Sequence, residues 1–358
     1  MALAGFVHHS RTETERVLTG SNSPPGPDQI AFVTTSYPSH PGDPAGHFVE
    51  AEARREALLG HRVTVLAPGG GPPPAPNANP RVVWIPDGAA FGWPGALERL
   101  RRRPDRVWGM LRFIRTARSV LDSLEPLDRV VAHFIVPSGW PTSNRPGRGL
   151  EVVAHGSDVR LLARLPRRLR QRILGDLLAS EARFRVVSDA LLQRLCYDGP
   201  AELRERCHVR PCAIDLGTVP DRDQARAGLG VLPGQRLAVV VGRLVKSKRV
   251  GTALDAAALM PATRVVVIGA GPERRGLSAR FPSVEFFGQL PRSVTLRWIA
   301  AADVLITASR EEGAPTVVRE ARALGTPVVA APSGDLALWA VSDRGLSVIA
   351  SVAGLLLY

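Results

Sequence analysis

The chain has 358 residues, 45% of them hydrophobic, and a formal net charge of +13. That length exceeds one ordinary core and calls for about two domains. No apolar run reaches the ~18–20 residues of a membrane-spanning helix, and three cysteines without a CxxC pair exclude a disulfide scaffold and argue against a structural zinc site.

Residues 1–28 read as a disordered leader, with two histidines and no apolar stretch of signal-peptide type. QIAFVTT (29–35) is an apolar run of buried-strand type. A loop rich in Pro, Gly and His follows, then a helix from about Val49 to Leu59, a Gly60 cap and the strand HRVTVLAP. This strand–loop–helix–strand order is a parallel α/β unit. RVVWIP is the next strand. Arg99, Arg101, Arg102, Arg103, Arg106, Arg112, Arg115 and Arg118 are then expected on a single helix with Val107, Trp108, Leu111, Phe113 and Ile114. RVVAHFIVP, EVVAHGSD and ARFRVVSD supply further strands, and a helix is expected at Ala190–Leu195. CHVRPCAIDL closes a first domain over 29–217, and 218–234 is polar and Gly-rich enough to be a linker.

A second alternating series fills 235–358. Its strands are RLAVVVG, TRVVVIG, SVEFFG, DVLITA and TPVVAA, with helices of about ten residues between them. The fold class is therefore α/β, with two Rossmann-like, doubly wound parallel sheets and a cleft between them as the default site.

The arginine bias is itself informative, because Lys246 and Lys248 are the only lysines of the sequence. A uniform bias of this kind reflects genome composition before it reflects a partner. Locally, the Arg99–Arg118 helix and the stretch from Arg160 to Arg172 suit either a solvated face or an anionic membrane surface. No nucleic-acid module is visible, so no nucleic-acid partner is expected.

Four constellations bear on chemistry. In SREEGAPTVVREARALGTPVVA, Glu312 and Glu320 are separated by seven residues. Pro315 suits a helix start and Gly325 its end, which puts Glu312 on the entering loop and Glu320 inside the helix. The glutamates can serve hydroxyl recognition beside an anion at the helix start, or merely support the helix dipole and a solvated face. Arg243 and Lys248 follow the first strand of the second domain, where two cations can clamp a diphosphate or simply decorate a loop. VVVIGAGPERRG spaces its glycines as GxGxxxxG and reads as a tight strand–helix turn, not a dinucleotide fingerprint. His155, with Gly156 and Asp158, closes a first-domain strand, where His155 can meet a polar ligand and Asp158 can orient a hydroxyl, or both can be structural. There is no phosphate-binding P-loop, no DxD and no paired-ligand histidine spacing, so no metal site is expected.

Taken in order, these segments resemble a retaining GT-B glycosyltransferase of glycosyltransferase family 4. IAFVTTSYPSHPGDPAGHFVEAEARREALLGHRVTVLAP resembles that family's opening unit; VSDALLQRL and PCAIDL resemble its approach to the linker. GRLVKSKR, VVVIGAGPE, VEFFGQL, AADVLITAS and EEGAPTVVREARALGTPVVA resemble its nucleotide-binding domain, the last being its E-x7-E element. The resemblance implies a metal-independent transfer of a sugar from a nucleotide donor, a UDP- or GDP-sugar, with no further cofactor. It implies that Arg243 and Lys248 bind the donor diphosphate and Glu320 the ribose. Glu312 would contact the donor sugar and stabilise the transition state, with His155 beside the reaction centre and Asp158 on the acceptor side. Ala314 and Thr316 would offer backbone N–H groups, backbone near Gly288–Leu290 would hold the base, and Gly46 would admit the diphosphate. It further implies a cytoplasmic enzyme of cell-envelope polysaccharide or glycolipid synthesis, peripheral on the membrane. A non-catalytic donor-binding protein and a nucleotide-sugar epimerase are the alternatives on this fold. Two departures stand out. Asp43 and Pro44 separate Gly42 from Gly46 where the family pairs its glycines, and the sequence stops at Tyr358, so a second domain truncated of the family's closing helix is expected.

Overall fold

A computed structural model describes residues 26–350, apart from residues 41, 44, 93–95, 125, 148 and 198. Most of the expected leader, up to residue 25, and the end of the chain, 351–358, lie outside the described residues.

The first domain runs β1 (Gln29–Val33), α1 (His47–Leu58), β2 (Arg62–Pro68), β3 (Arg81–Ile85), α2 (Ala96–Arg102), α3 (Val107–Ser123) and β4 (Arg129–His133). It continues with β5 (Leu150–Ala154), α4 (Ser157–Arg164), α5 (Arg167–Ala179), β6 (Arg183–Val186), α6 (Asp189–Cys196) and β7 (Cys207–Val209). The second comprises α7 (Arg222–Gly228), β8 (Arg236–Val241), α8 (Val250–Ala257), β9 (Thr263–Ile268), α9 (Arg274–Arg280) and β10 (Glu285–Gly288). It ends with α10 (Arg292–Ala301), β11 (Val304–Thr307), α11 (Thr316–Ala323), β12 (Val328–Ala330), α12 (Leu336–Ser342) and β13 (Leu346–Val348).

The strands form two wholly parallel sheets, ordered β3-β2-β1-β4-β5-β6-β7 and β10-β9-β8-β11-β12-β13. Their central strands are buried on both faces, as Ile30, Ala31, Phe32 and Val33 of β1 illustrate, which is why they read as unbroken apolar runs. Strand order reverses direction at β1/β4 in one sheet and at β8/β11 in the other. Ligands of doubly wound sheets bind outside the carboxyl ends of strands at such switch points.

Three expectations are revised by the structure. The single Arg-rich helix is two, since α2 stops at Arg102 and a short 3-10 turn, Pro104–Arg106, leads into α3. Pro104 has no N–H to continue the α2 ladder. The strand expected to run to Pro137 ends at His133. The chain turns there at Phe134 (φ 78°), and the Ile135 N–H goes to the Asp158 carboxylate in place of a neighbouring strand. The stretch expected as a linker carries α7, whose Ala225 is buried in the second domain's core beside Leu296 and Ile299 of α10.

One buried charge cluster ties α1 to the first sheet. Arg185, 2% exposed, is paired with both carboxylate oxygens of Glu52 and, through Nε, lies 3.2 Å from Glu151. Burial works against the guanidinium, but Glu52 and Glu151 outweigh it and hold Arg185 firmly protonated. Replacing Arg185 by methionine leaves two carboxylates without their cation and is expected to cost about 3–5 kcal/mol. Urea unfolding checks this; a loss under about 1 kcal/mol would contradict the assignment.

Candidate active site

The loops at the two switch points face one another across a cavity of about 840 Å³, within the range of small-molecule sites. From the second domain, β8 delivers Gly242 and Arg243, and a 3-10 turn delivers Lys248. Arg249 then takes a left-handed conformation (φ 48°) to start α8. The GxG of VVVIGAGP packs against this turn. A Cβ on Gly269 would overlap the Gly242 carbonyl, and one on Gly271 would overlap backbone of Leu244, so these glycines serve close packing of two loops.

β11 leads into Ser309–Pro315, and α11 begins at Thr316. Glu312 lies on the entering loop and forms an ion pair with Lys248. Glu320, 4% exposed, lies on the second turn of α11. Arg292 Nη1 donates to it at 2.5 Å, and His47 Nε2 approaches it to 3.4 Å from the first domain. Burial alone would raise the Glu320 carboxyl, but His47 and Arg292 outweigh it and hold it below its ordinary range. The carboxylate is thus ionised at neutral pH. Ala314 and Thr316 flank Pro315 at the start of α11 and line the cavity.

From the first domain, Gly46 ends the loop after β1 with φ 62°, and a Cβ there would overlap the Ser36 carbonyl. The glycine therefore closes the loop and leaves its neighbours Ala45 and His47 to line the cleft. Asp43, between the two separated glycines, accepts from the Ser39 N–H and hydroxyl and the Ala45 N–H, fixing the same turn. His155 lines the cleft at the end of β5, packed between Phe48 and Phe134 with ring centres 4.8 and 4.6 Å away. Asp158 also reaches the cavity. Its oxygens are taken by the backbone N–H groups of Ile135, His155 and Gly156 at 2.9, 3.1 and 2.9 Å, so it shapes the His155 turn.

The structure therefore gathers Arg243, Lys248, Glu312, Ala314, Thr316, Glu320, His155 and Asp158 on one cavity, with Gly46 supporting its rim. Sequence reasoning missed Arg292, His47 and Arg319. Arg319 Nη1 donates to the Cys212 carbonyl at 2.6 Å, holding α11 to the segment that crosses between domains. Arg292 did leave a signal. A cation at the first position of a helix runs against the dipole and points to a partner elsewhere.

Chemically, the cleft pairs cations with carboxylates beside a helix start. An entering polyanion competes with Glu312 for Lys248, and the remaining lone pairs of Glu312 and Glu320 can accept from hydroxyls.

Comparisons with known proteins bear on the family and the fold. Residues 235–353 match the family model described as Glycosyl transferases group 1. They form a glycosyl transferases group 1 domain. Over 86% of this chain and 81% of the relative, the sequence is 27% identical to the putative teichuronic acid biosynthesis glycosyltransferase TuaC of Bacillus subtilis (strain 168). Sucrose-phosphate synthase of Thermosynechococcus elongatus superposes with a TM-score of 0.67 at 19% identity, covering 87% of this chain and 83% of that one. Anabaena HepE, solved with UDP and glucose, gives 0.62 at 18% identity over 91% and 86%. Both sheets thus belong to a GT-B fold, and the protein is a glycosyltransferase.

Proposed function

We propose that this glycosyltransferase is a retaining member of family 4. It moves a sugar from a UDP- or GDP-sugar to an acceptor of cell-envelope polysaccharide or glycolipid synthesis. The observation that carries the reading is the convergence of Arg243, Lys248, Glu312 and Glu320 at the β8/β11 switch point, facing the first domain across the cleft. Arg243, Lys248 and the N–H groups of Ala314 and Thr316 hold the diphosphate, Glu320 accepts from the ribose hydroxyls, and Glu312 meets the sugar. Gln289 and Leu290 stand where the base would lie.

In the reaction, the bond between the anomeric carbon and the β-phosphate oxygen breaks and a bond from that carbon to the acceptor oxygen forms on the same face. The acceptor proton passes to the departing diphosphate. Positive charge develops on the sugar, where Glu312 stabilises it, and negative charge on the diphosphate, where the cations do. His155 lies at the sugar end, and Asp158 holds the acceptor-side turn. The cationic cluster supplies what a metal would otherwise supply, so no metal cofactor enters the scheme. HepE's complex with UDP and glucose and the teichuronic acid role in TuaC's name support the donor and pathway. Nucleoside diphosphate release, measured in chelator across UDP-, GDP- and ADP-sugars, tests this; neither binding nor release with any donor would overturn it. Binding without release would favour the non-catalytic alternative, and donor interconversion the epimerase.

We also place the enzyme at the cytoplasmic face of a membrane. No helix among the described residues is long and apolar enough to cross one. Trp108 and Leu111 of α3, 72% and 42% exposed, stand among exposed Arg101, Arg102, Arg112 and Arg115, an apolar and basic surface suited to anionic lipid headgroups. Flotation with anionic vesicles should recover the protein, and Trp108→Ser with Arg112→Glu should reduce recovery at least fivefold, each lost basic contact being worth about 1 kcal/mol. Equal recovery with neutral vesicles would remove the idea.

A further inference from the structure

The floor of the cleft carries a line of contacts that the scheme above leaves unused. Glu52, held on both oxygens by Arg185, has Oε2 3.3 Å from Nε2 of His133. Nδ1 of His133 lies 3.0 Å from Nε2 of His155, and Nδ1 of His155 lies 4.0 Å from Sγ of Cys212. The two imidazoles are 18° from coplanar with centres 5.2 Å apart. Nearly coplanar rings with facing nitrogens in hydrogen-bond reach are joined edge to edge, N–H to N.

The protons on this line can be placed in sequence. A carboxylate paired with arginine is ionised and only accepts. Nε2 of His133 makes no well-aligned hydrogen bond, but a bare nitrogen 3.3 Å from that carboxylate oxygen would set lone pair against lone pair, so Nε2 carries the hydrogen. Burial, then the charge of Arg185, holds His133 well below the usual histidine range, so it is neutral and its Nδ1 is bare. Nε2 of His155 must then carry the hydrogen between the rings. His155 is also kept neutral, first by burial, so its Nδ1 is bare. Burial keeps the Cys212 thiol protonated, and it meets that nitrogen only weakly.

We propose that Glu52 and His133 are positioning residues that lock His155 in the Nε2–H tautomer, leaving Nδ1 at the cleft wall as an acceptor for a neutral hydroxyl of the transferred sugar. This rests on the donor reading of the cleft given above. A bare nitrogen accepts from a hydroxyl and repels a carboxylate, so the position discriminates against an anionic substituent at that point of the sugar. Phe48 and Phe134 grip the ring on either side and oppose its rotation. His155, Cys212 and both phenylalanines line the same cavity.

Nitrogen and sulfur atoms of His133, His155 and Cys212 also come within 4.8 Å of one another, a spacing open to a metal ion. The ring geometry favours the hydrogen-bonded line, because nitrogens aimed at each other do not converge on a common point.

Long-range proton–nitrogen correlation spectra of the full chain labelled in histidine read the tautomers without any substrate. Both His133 and His155 should be neutral and protonated at Nε2, with His133→Phe assigning the signals. Protonation of His155 at Nδ1 overturns the proposal, and so does a joint shift of both histidines with one equivalent of zinc. With a turned-over donor, His133→Phe should lower kcat/KM about five- to tenfold for the intact sugar. It should have little effect on a donor deoxygenated at the contacted carbon. An equal loss with both donors overturns the role. If His133→Phe does not fold, the wild-type spectra, which need no variant, decide the tautomer alone. Failure of every donor would strike the transferase reading and leave the tautomer to the spectra.

Discussion

Replacing Lys248 by alanine is expected to lower kcat/KM by about 10²–10³-fold, the usual effect of removing one preorganised donor from a developing anion. Lys248 sits at the end of the 3-10 turn before α8 and is the partner of Glu312. The ion pair means that a donor must exchange one anion for another at this ammonium. In the variant, the diphosphate loses its point charge and also meets a Glu312 carboxylate left without its cation. The loss should therefore appear in kcat as well as KM, because the diphosphate gains charge as the sugar leaves. Arginine at this position should recover only part of the loss, since its planar fork replaces a compact ammonium. Stability should change by under about 1 kcal/mol, because the pair is partly solvated. A change in kcat/KM below threefold would show that the diphosphate lies elsewhere.

Replacing Glu320 by glutamine is expected to weaken donor binding about 10–100-fold, in line with losing charge-assisted hydrogen bonds to two hydroxyls. Glu320 has little solvent to fall back on and organises Arg292 and His47 from opposite sides of the cleft. Arg292 Nη2 also donates to the Asp215 carbonyl, so the variant leaves the arginine tied to the interdomain segment but without its anion. A donor lacking both ribose hydroxyls should bind wild type and variant nearly alike, which separates loss of the contact from collapse of the cleft. Calorimetry with the two donors checks this, and an equal loss for both would contradict the ribose assignment. The carboxyl's folded value is lowered from 4.5, so its stabilising contribution is complete above that value and is lost as pH falls through the folded one. Donor affinity should accordingly show no step from Glu320 between about pH 6 and 8.

The parallel sheets were legible because strands buried on both faces must be apolar throughout, as LAVVV in β8 and VVVI in β9 are. The placement of Glu312 and Glu320 was legible because Pro315 and Gly325 mark the ends of α11 locally. What escaped the sequence is what depends on distant partners. Arg185 looks like one more arginine in an Arg-rich chain until the sheet brings Glu52 and Glu151 to it. His133 reads as the end of an apolar strand, and its pairing with His155 follows only from the adjacency of β4 and β5. The break at Pro104 had a local signal in the proline itself, which the run of arginines on both sides obscured. Arg292 meets Glu320 only where α10 packs beside α11, and His47 reaches it only because the two domains face one another.

Under the proposed function, the Lys248–Glu312 pair and the Arg292–Glu320 pair mark the seat of a nucleoside diphosphate sugar. Titration calorimetry of UDP, GDP and ADP into the full chain, in chelator, tests it most directly. One of the three should bind at a single site, and Lys248→Ala should weaken that binding at least tenfold with the fold intact. No binding by any of them, or binding that Lys248→Ala leaves unchanged, would contradict it.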